Sequence, residues 1–198
     1  REELDNAFVS ERLNFIISRI DSLAYLTDFN PDDMRGRIIL NISFFPERRL
    51  RDALRVMLPV FSSPYVMSDR IVLAKGGERI GDIRVPADTV GLGSVCSITL
   101  NGIFLKAGIP VTSRYGGVVE MRDGELWRFT SLIGYEGSSL DPLEIFIRSR
   151  MTDVLGLVRD GSGKVLGSFR EIPVVSLREA ENLRDKMARR GLGGRIVF

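Results

Sequence analysis

The sequence predicts a mixed α/β fold, in which a mixed sheet with several antiparallel hairpins packs against helices and an amphipathic helix comes first. Apolar stripes with helical spacing alternate with short β-branched stretches along the 198 residues. Turn signals that contain glycine separate several of these stretches, as they do in hairpins. The apolar fraction of 44% is enough to form a hydrophobic core, so the chain is expected to fold.

The first segment has the apolar period of a helix. Its stripe consists of Phe8, Leu13, Ile16, Ile17, Ile20, Leu23 and Ala24. An Asn-Pro pair and Gly36 then interrupt the pattern. We therefore divide the chain into a connecting helix with its linker, residues 1–36, and one domain, residues 37–198. The stripe could pack on this domain, on a second copy of the chain or on an upstream domain, and we expect it to form part of a dimer contact.

The next elements are a strand, a helix and a series of hairpins. The stretch "GRIILNISFF" predicts a buried strand, and Pro46 starts a helix with an apolar stripe from Leu50 to Phe61. Turn residues predict three hairpins, centred on residues 76–77, 123–124 and 161–163. Asp141 before Pro142 has the pattern of a helix N-cap. The last helix runs through "SLREAENLRDKMARR" and ends at Gly191, and "GRIVF" predicts a closing strand.

The stretch "VGLGSVCSITLNGIFLKAG" carries the first candidate site. It predicts a glycine-rich turn over Gly91–Ser97 that enters a helix, whose N-terminal amides suit an anion. The dinucleotide fingerprint is incomplete because Cys96 replaces its third glycine, and no Lys-Ser or Lys-Thr pair completes a phosphate-binding loop. An ordinary buried helix is the alternative. The candidate ligand contacts here are Gly93, Ser94, Cys96, Ser97 and Asn101.

Further along the chain, other polar residues suit a small carboxylate. Arg114 precedes a glycine pair near the end of a predicted strand, and Arg170 ends another strand. Ser138 and Ser139 precede the helix at Asp141, whose carboxylate would repel an anion. Surface ion pairs are the alternative interpretation for both arginines.

Composition excludes several kinds of active site. The chain has no histidine and one cysteine, so it forms no internal disulfide, no Ser-His-Asp triad and no His-ligated metal centre. We predict no catalytic residue, no metal and no cofactor. The formal net charge is +2, and no stretch is apolar for long enough to span a membrane. We expect a cytoplasmic binding domain rather than an enzyme. One alternative is an enzyme that uses Cys96 or the carboxylates of Glu136 and Glu171. The other is a dimerisation module without a ligand.

Several phrases, taken together, resemble a known family. "GRIILNIS", "VGLGSVCSITLNGIFLKAGIPV", "SRYGG", "YEGSSLDPLEIFI", "MTDVLGLV" and "GSFREIP" occur in this order. They resemble the regulatory domain of NrpR, the family of archaeal nitrogen-responsive transcriptional repressors, over about residues 37–173. The helix before residue 37 is similar to that family's connecting segment.

The resemblance implies a sensor that binds 2-oxoglutarate as its effector and then releases operator DNA. It further implies a homodimer, and an allosteric mechanism in which the ligand changes how two protomers pack. In that family a separate winged-helix domain reads the DNA, and residues 1–36 of this chain supply only one helix. We therefore expect contact with operator DNA only through such a separate domain.

Overall fold

The structure is a computed structural model that describes residues 15–198, and the mixed α/β fold is confirmed. The described residues form six α-helices and three antiparallel sheets. The helices are α1 Ile16–Leu26, α2 Leu50–Phe61, α3 Ile98–Lys106, α4 Pro142–Arg148, α5 Val154–Asp160 and α6 Leu177–Arg189. The strands are β1 Leu40–Pro46, β2 Ile71–Lys75, β3 Arg79–Ile80, β4 Ile83–Arg84, β5 Thr89–Val95, β6 Thr112–Arg122, β7 Glu125–Gly134 and β8 Gly163–Glu171.

The chain divides into two compact units, each with its own three-stranded sheet. The first unit contains the described residues up to Leu26 together with Phe104–Leu177. The second unit contains Thr27–Ile103 and Arg178–Phe198. The strand order is β7-β6-β8 in the first unit and β1-β5-β2 in the second. The domain boundary after residue 36 stays a prediction.

In the second unit, β5 is the central strand, and this corrects the predicted glycine-rich turn. Gly91, Gly93 and Ser94 lie within β5, which pairs antiparallel with β1 on one side and β2 on the other. Val90, Leu92 and Val95 of the same strand are buried. Glycines at alternate positions gave a turn signal in the sequence, but pairing on both sides and the buried neighbours hold the segment extended.

The small β3–β4 hairpin contributes part of the second unit's core. Its Ile80 and Val85, the residue that follows β4, pack with Ala74 of β2 in one buried cluster. Leu40 and Ile42 of β1 pack against this cluster while they remain partly exposed. The strand β1 is therefore not the buried strand that its sequence predicted, because it lies at the sheet edge and none of its residues is fully buried.

In the first unit, β6 is the central strand and one of the three predicted hairpins is confirmed. Asp123 and Gly124 join β6 to β7 with φ of 50° and 76°, as a two-residue hairpin turn requires. The other two predicted hairpins are wrong. Residues 76–77 separate β2 from β3, which pair with β5 and β4 instead, and Gly161 ends α5 in the left-handed conformation before β8 begins.

The predicted helices agree with the structure more closely than the predicted strands do. Asp141 caps α4, since its carboxylate accepts a hydrogen bond from the Leu143 N–H at 2.9 Å. The predicted C-terminal helix is confirmed as α6, whereas residues 194–198 form no strand. Phe8 and Leu13 of the N-terminal stripe lie outside the described residues. Ile16, Ile20 and Ala24 of this stripe are buried, and the dimer contact at the stripe stays a prediction.

Candidate functional site

A small cavity lies against the central strand of the second unit. Its volume is about 100 Å³, and most of its walls are apolar. The lining residues come from the segment before β1, from the sheet, from the segment before β2 and from the C-terminal segment: Phe29, Met34, Ile38, Leu40, Ser68, Arg70, Ile71, Val72, Gly93, Val95 and Leu192. Among the candidate ligand contacts predicted from the sequence, Gly93 lines this cavity.

The two glycines of β5 have different surroundings, and this difference explains where the cavity lies. A Cβ on Gly91 would come within 2.9 Å of the Val85 Cγ2 atom and 3.1 Å of the Ile80 Cδ1 atom. The hairpin side chains therefore fill the space that Gly91 leaves. A Cβ on Gly93 would meet only the Leu40 Cδ1 atom closely, at 3.1 Å. The space beside Gly93 stays partly open and becomes part of the cavity.

Arg70 is the one basic side chain in the cavity lining, and a fixed segment holds its backbone. The Ser68 hydroxyl donates to the Gly191 carbonyl at 2.9 Å and accepts from the Arg70 N–H at 3.3 Å. The Gly193 N–H donates to the Met67 carbonyl at 2.8 Å. Residues 67–70 are thus tied to the segment after α6, so the backbone at Arg70 is ordered before any ligand binds.

A second hollow in this unit does not suit an anion. It is an open surface depression lined by Pro46, Glu47, Arg48 and Asp88. Two of these four residues are carboxylates, and they would repel a negatively charged ligand. The smaller cavity beside Gly93 is therefore the better candidate.

The other predicted contacts of the second unit lie in β5, in the connection that follows it and in α3. Ser94, Cys96 and Ser97 are partly buried. The Cys96 N–H donates to the Ile39 carbonyl at 2.8 Å. The Thr99 hydroxyl accepts a hydrogen bond from the Ile39 N–H at 3.0 Å and lies 3.2 Å from the Ile39 carbonyl oxygen. These contacts fix the connection from the strand to the helix.

The amides at the start of α3 are already used within the protein. The N–H groups of Thr99 and Leu100 donate to the carbonyls of Cys96 and Ser97. Asn101 is only 1% exposed and belongs to the interior of the unit. An anion at this helix start would have fewer open amide donors than the sequence suggested, because tight turn bonds satisfy two of them.

In the first unit, Arg114 is bound to carboxylates of the protein. Its Nε donates to the Glu171 Oε2 atom at 2.6 Å, and its Nη1 lies 3.9 Å from the Glu136 Oε2 atom. The hydrogen bond to Glu171, and the charges of both glutamates, raise the pKa of Arg114 above its ordinary value. An external carboxylate would have to displace Glu171 to bind there.

The remaining candidates of the first unit are Ser138, Ser139 and Arg170. The Ser138 hydroxyl donates to the Leu140 carbonyl at 2.8 Å and accepts from the Leu140 N–H, so it stabilises a local turn. Ser139 is exposed, and Arg170 is partly buried in β8 beside Ser113 of β6. The nine predicted contacts thus divide between the two units, five in the second and four in the first.

Arg70 and Ser68 were not among the contacts predicted from the sequence. Both lie in the short segment before β2, where no periodic or glycine signal marks a site. Hydrogen bonds to Gly191 and Gly193, more than 120 positions away, connect this segment to the other end of the chain. Within residues 15–198, no group of three or more His, Cys, Asp or Glu residues could hold a metal ion. No helix in this part of the chain is long and apolar enough to cross a membrane.

Comparisons with known proteins extend over nearly the whole chain. The family model described as NrpR regulatory domains NRD1 and 2 matches residues 13–198. The global nitrogen regulator NrpRI of Methanosarcina mazei is 32% identical over 196 residues, which are 99% of this chain and 60% of that protein. The global nitrogen regulator NrpR of Methanococcus maripaludis is 32% identical over 185 residues, which are 93% of this chain and 32% of that protein.

A solved structure has a similar fold. The crystal structure of a nitrogen repressor-like protein from Methanococcus jannaschii matches with a TM-score of 0.69 and 27% identity. The match covers 86% of this chain and 68% of that one. The chain spans 60% of the length of the Methanosarcina mazei regulator and 32% of that of the Methanococcus maripaludis regulator, so it corresponds to less than two thirds of each.

Proposed function

Since the chain belongs to the NrpR regulatory-domain family, we propose that it is the effector-sensing and dimerisation domain of a nitrogen-regulated transcriptional repressor. The match of the regulatory-domain family over residues 13–198 is the observation that carries this proposal. The domain would act in the cytoplasm, and contact with operator DNA would come through a separate winged-helix domain. Neither a cofactor nor a metal is part of the proposed mechanism.

The proposed effector is 2-oxoglutarate, whose binding would relieve repression of nitrogen-assimilation genes. Its keto and carboxylate oxygens accept hydrogen bonds, so hydroxyl, amide and guanidinium groups suit it. Ser94 and Ser97 carry hydroxyl groups close together in sequence, next to the predicted contact Gly93. In the first unit Arg114 can serve only if the ligand carboxylate replaces Glu171, which exposed ion pairs permit at small cost.

Titration calorimetry with 2-oxoglutarate tests this proposal. We expect saturable binding by the 198-residue chain, lost or strongly weakened either in Ser97→Ala, if the second unit holds the ligand, or in Arg114→Ala, if the first unit holds it. Ser62→Ala is the matched control for the serine, because Ser62 is an exposed residue after α2 in the same unit. Arg148→Ala is the control for the arginine, because it removes another exposed ion pair of the first unit. Absence of binding at millimolar ligand by a folded chain would contradict the effector proposal.

Dimerisation has support in an exposed apolar face of the first unit's sheet. Tyr115 and Phe169 are direct partners on β6 and β8, with ring centroids 6.1 Å apart. Leu132 of β7 lies opposite Gly117, two residues further along β6, and therefore on the same face. These three side chains remain 43%, 44% and 49% exposed, in the order Tyr115, Phe169 and Leu132. A second copy of the chain would cover this face, which we propose as a part of the dimer contact beside the predicted N-terminal stripe.

Sedimentation or light scattering measures this contact directly. We expect the wild-type chain to be a dimer and Leu132→Asp to shift it toward monomer, since the substitution places a charge in a buried interface. Leu155→Asp is the control, because Leu155 is equally exposed, at 49%, on α5 of the same unit. Equal dimer fractions for the two variants would exclude this sheet face as the contact.

The enzymatic alternative has little support in the geometry. Arg114 lies between the carboxylates of Glu136 and Glu171, so these two groups form ion pairs with it. Cys96 has no histidine anywhere in the chain to act as its base. Alkylation of Cys96, followed by a screen for turnover of small metabolites, would test this alternative, and a loss of turnover on alkylation would support it.

A further inference from the structure

The cavity beside Gly93 has features that packing alone does not account for. Glycine weakens a strand interior, and at Gly91 the Ile80 and Val85 side chains explain why glycine is present. At Gly93 the nearest atom to an added Cβ is the end of one flexible side chain, Leu40 Cδ1 at 3.1 Å. An alanine would therefore fit with a small adjustment, and the chain instead keeps about 100 Å³ open at this place.

The charge at the cavity also lacks an internal partner. No ion pair between Arg70 and a carboxylate is formed within residues 15–198, although Arg37, Arg114 and Arg122 all bind acidic side chains. Asp69 precedes Arg70 in the chain but is not within ion-pair distance of it. A guanidinium in this position is open to a carboxylate from outside the protein.

The segment that carries Arg70 is held in place by backbone contacts. Ser68 and Met67 bond residues 191 and 193, and residues 68 and 192 form an isolated antiparallel bridge. Because this wall is already ordered, a ligand loses little free energy in fixing it. A cavity of this kind, with apolar walls and few polar groups, is the usual form of a small-molecule site.

We propose that this cavity binds a short-chain aliphatic monocarboxylate, with its hydrocarbon end inside and its carboxylate on Arg70. At roughly 30 Å³ for each non-hydrogen unit, as for water in the liquid, the cavity holds about three or four carbons. A dicarboxylate fits this place poorly, because the walls beyond Arg70 offer no second cation and burying an unpaired carboxylate is costly. Gly93 is the one predicted 2-oxoglutarate contact that lines this cavity. The proposed monocarboxylate site rests on Arg70 and the apolar walls, and it does not depend on the other predicted contacts.

The test is calorimetric titration with 3-methylbutanoate, and with 2-oxoglutarate in parallel. We expect the wild-type chain to bind 3-methylbutanoate, and Arg70→Gln to weaken this binding about tenfold or more through loss of the charge-assisted hydrogen bonds. Gly93→Ala narrows the cavity and should weaken the same ligand. Arg84→Gln is the control, because Arg84 is an exposed arginine of β4 with no carboxylate bound within residues 15–198.

Three results would overturn the inference. The first is no saturable binding of 3-methylbutanoate by the wild-type chain at about 10 mM, ten times a millimolar dissociation constant. The second is equal binding by Arg70→Gln and Arg84→Gln. The third is binding of 2-oxoglutarate that Arg70→Gln abolishes, since the cavity would then hold the dicarboxylate. Binding of 2-oxoglutarate that both variants retain supports the effector proposal independently, so the two proposals fail separately.

Discussion

The central strands of the two three-stranded sheets each contain a pair of glycines, but the two pairs have different structural roles. In β6 of the first unit, a Cβ on Gly117 would lie 2.5 Å from the Ser131 carbonyl oxygen and 2.8 Å from Leu132 and Phe129. A Cβ added to its neighbour Gly116 would lie 2.9 Å from the Tyr135 hydroxyl oxygen, on the other face of the sheet. In β5 of the second unit, the atoms closest to an added Cβ belong to side chains rather than to the backbone, and one glycine borders a cavity.

This difference shows that glycine in a strand does not by itself indicate a ligand site. The β6 pair lets side chains and a carbonyl of the first unit approach the strand closely, which is a packing role. The β5 pair combines a packing role at Gly91 with open space at Gly93. Substitution by alanine separates these roles, because the cost depends on whether the atom in contact can move.

The largest effect is expected for Gly117→Ala. The added methyl would meet a backbone oxygen that the β6–β7 pairing holds in place, so the free energy of unfolding should fall by about 3 kcal/mol. Denaturant unfolding measures the change. Gly134→Ala of β7 is the matched control, because an added Cβ would have only ordinary contacts, at 3.8 Å or more. Similar losses for both variants would refute the packing role of Gly117.

Gly91→Ala should have an intermediate effect. Its methyl would press on the buried Val85 and Ile80 side chains rather than on a backbone atom, so we expect a smaller loss, of about 1 kcal/mol, in the free energy of unfolding. The same denaturant measurement applies, with Gly93→Ala as the comparison in the same strand. Retention of full stability by Gly91→Ala would indicate that the hairpin does not depend on close contact with β5.

Gly93→Ala is expected to change stability by less than about 0.5 kcal/mol, since alanine also restricts the unfolded chain and offsets the tight contact with Leu40. Its effect should appear in ligand binding instead. If its stability fell as far as that of Gly117→Ala, the space beside Gly93 would be rigidly packed, and the contrast between the two strands would disappear. Thermal unfolding with and without 3-methylbutanoate measures both quantities.

The smallest effect is expected at Asp28, whose neighbour Phe29 lines the cavity. The Arg37 backbone N–H and then its guanidinium donate to this carboxylate and lower its pKa below the ordinary value. A lowered folded-state pKa adds stability above the ordinary Asp pKa of about 3.9, and that stability is lost as the pH falls through the lower folded value.

Asp28→Asn should therefore melt slightly below the wild-type chain at neutral pH, and the gap should close in acid. Melting temperatures measured from pH 7 down to the acid limit of folding provide the test. Asp82→Asn is the control, because Asp82 is an exposed residue of the same unit in the turn between β3 and β4. A gap that widens in acid would contradict the assigned role of the Asp28–Arg37 pair.

Local sequence signals predicted the helices well and the strands less well. The cap at Asp141, the C-terminal helix and the Asp123-Gly124 turn depend on contacts within a few residues, so their signals lie in the local sequence. The strand that contains Gly91–Val95 depends on distant contacts instead, because its partners β1 and β2 lie about 50 and 20 positions away in the sequence. The same limit applies to Arg70, which gave no signal in the sequence.

The sequence by itself determined the mixed α/β class, the lack of histidine chemistry and the resemblance to the NrpR regulatory family. Composition and local pattern carry these properties, and they need no knowledge of which segments meet. The tertiary structure alone decided that Gly93 borders a cavity, that Arg114 is held by Glu171, and that Ser68 places Arg70 at the cavity. Each of these depends on residues far apart in the chain that come together when backbone pairing and apolar burial fix the fold.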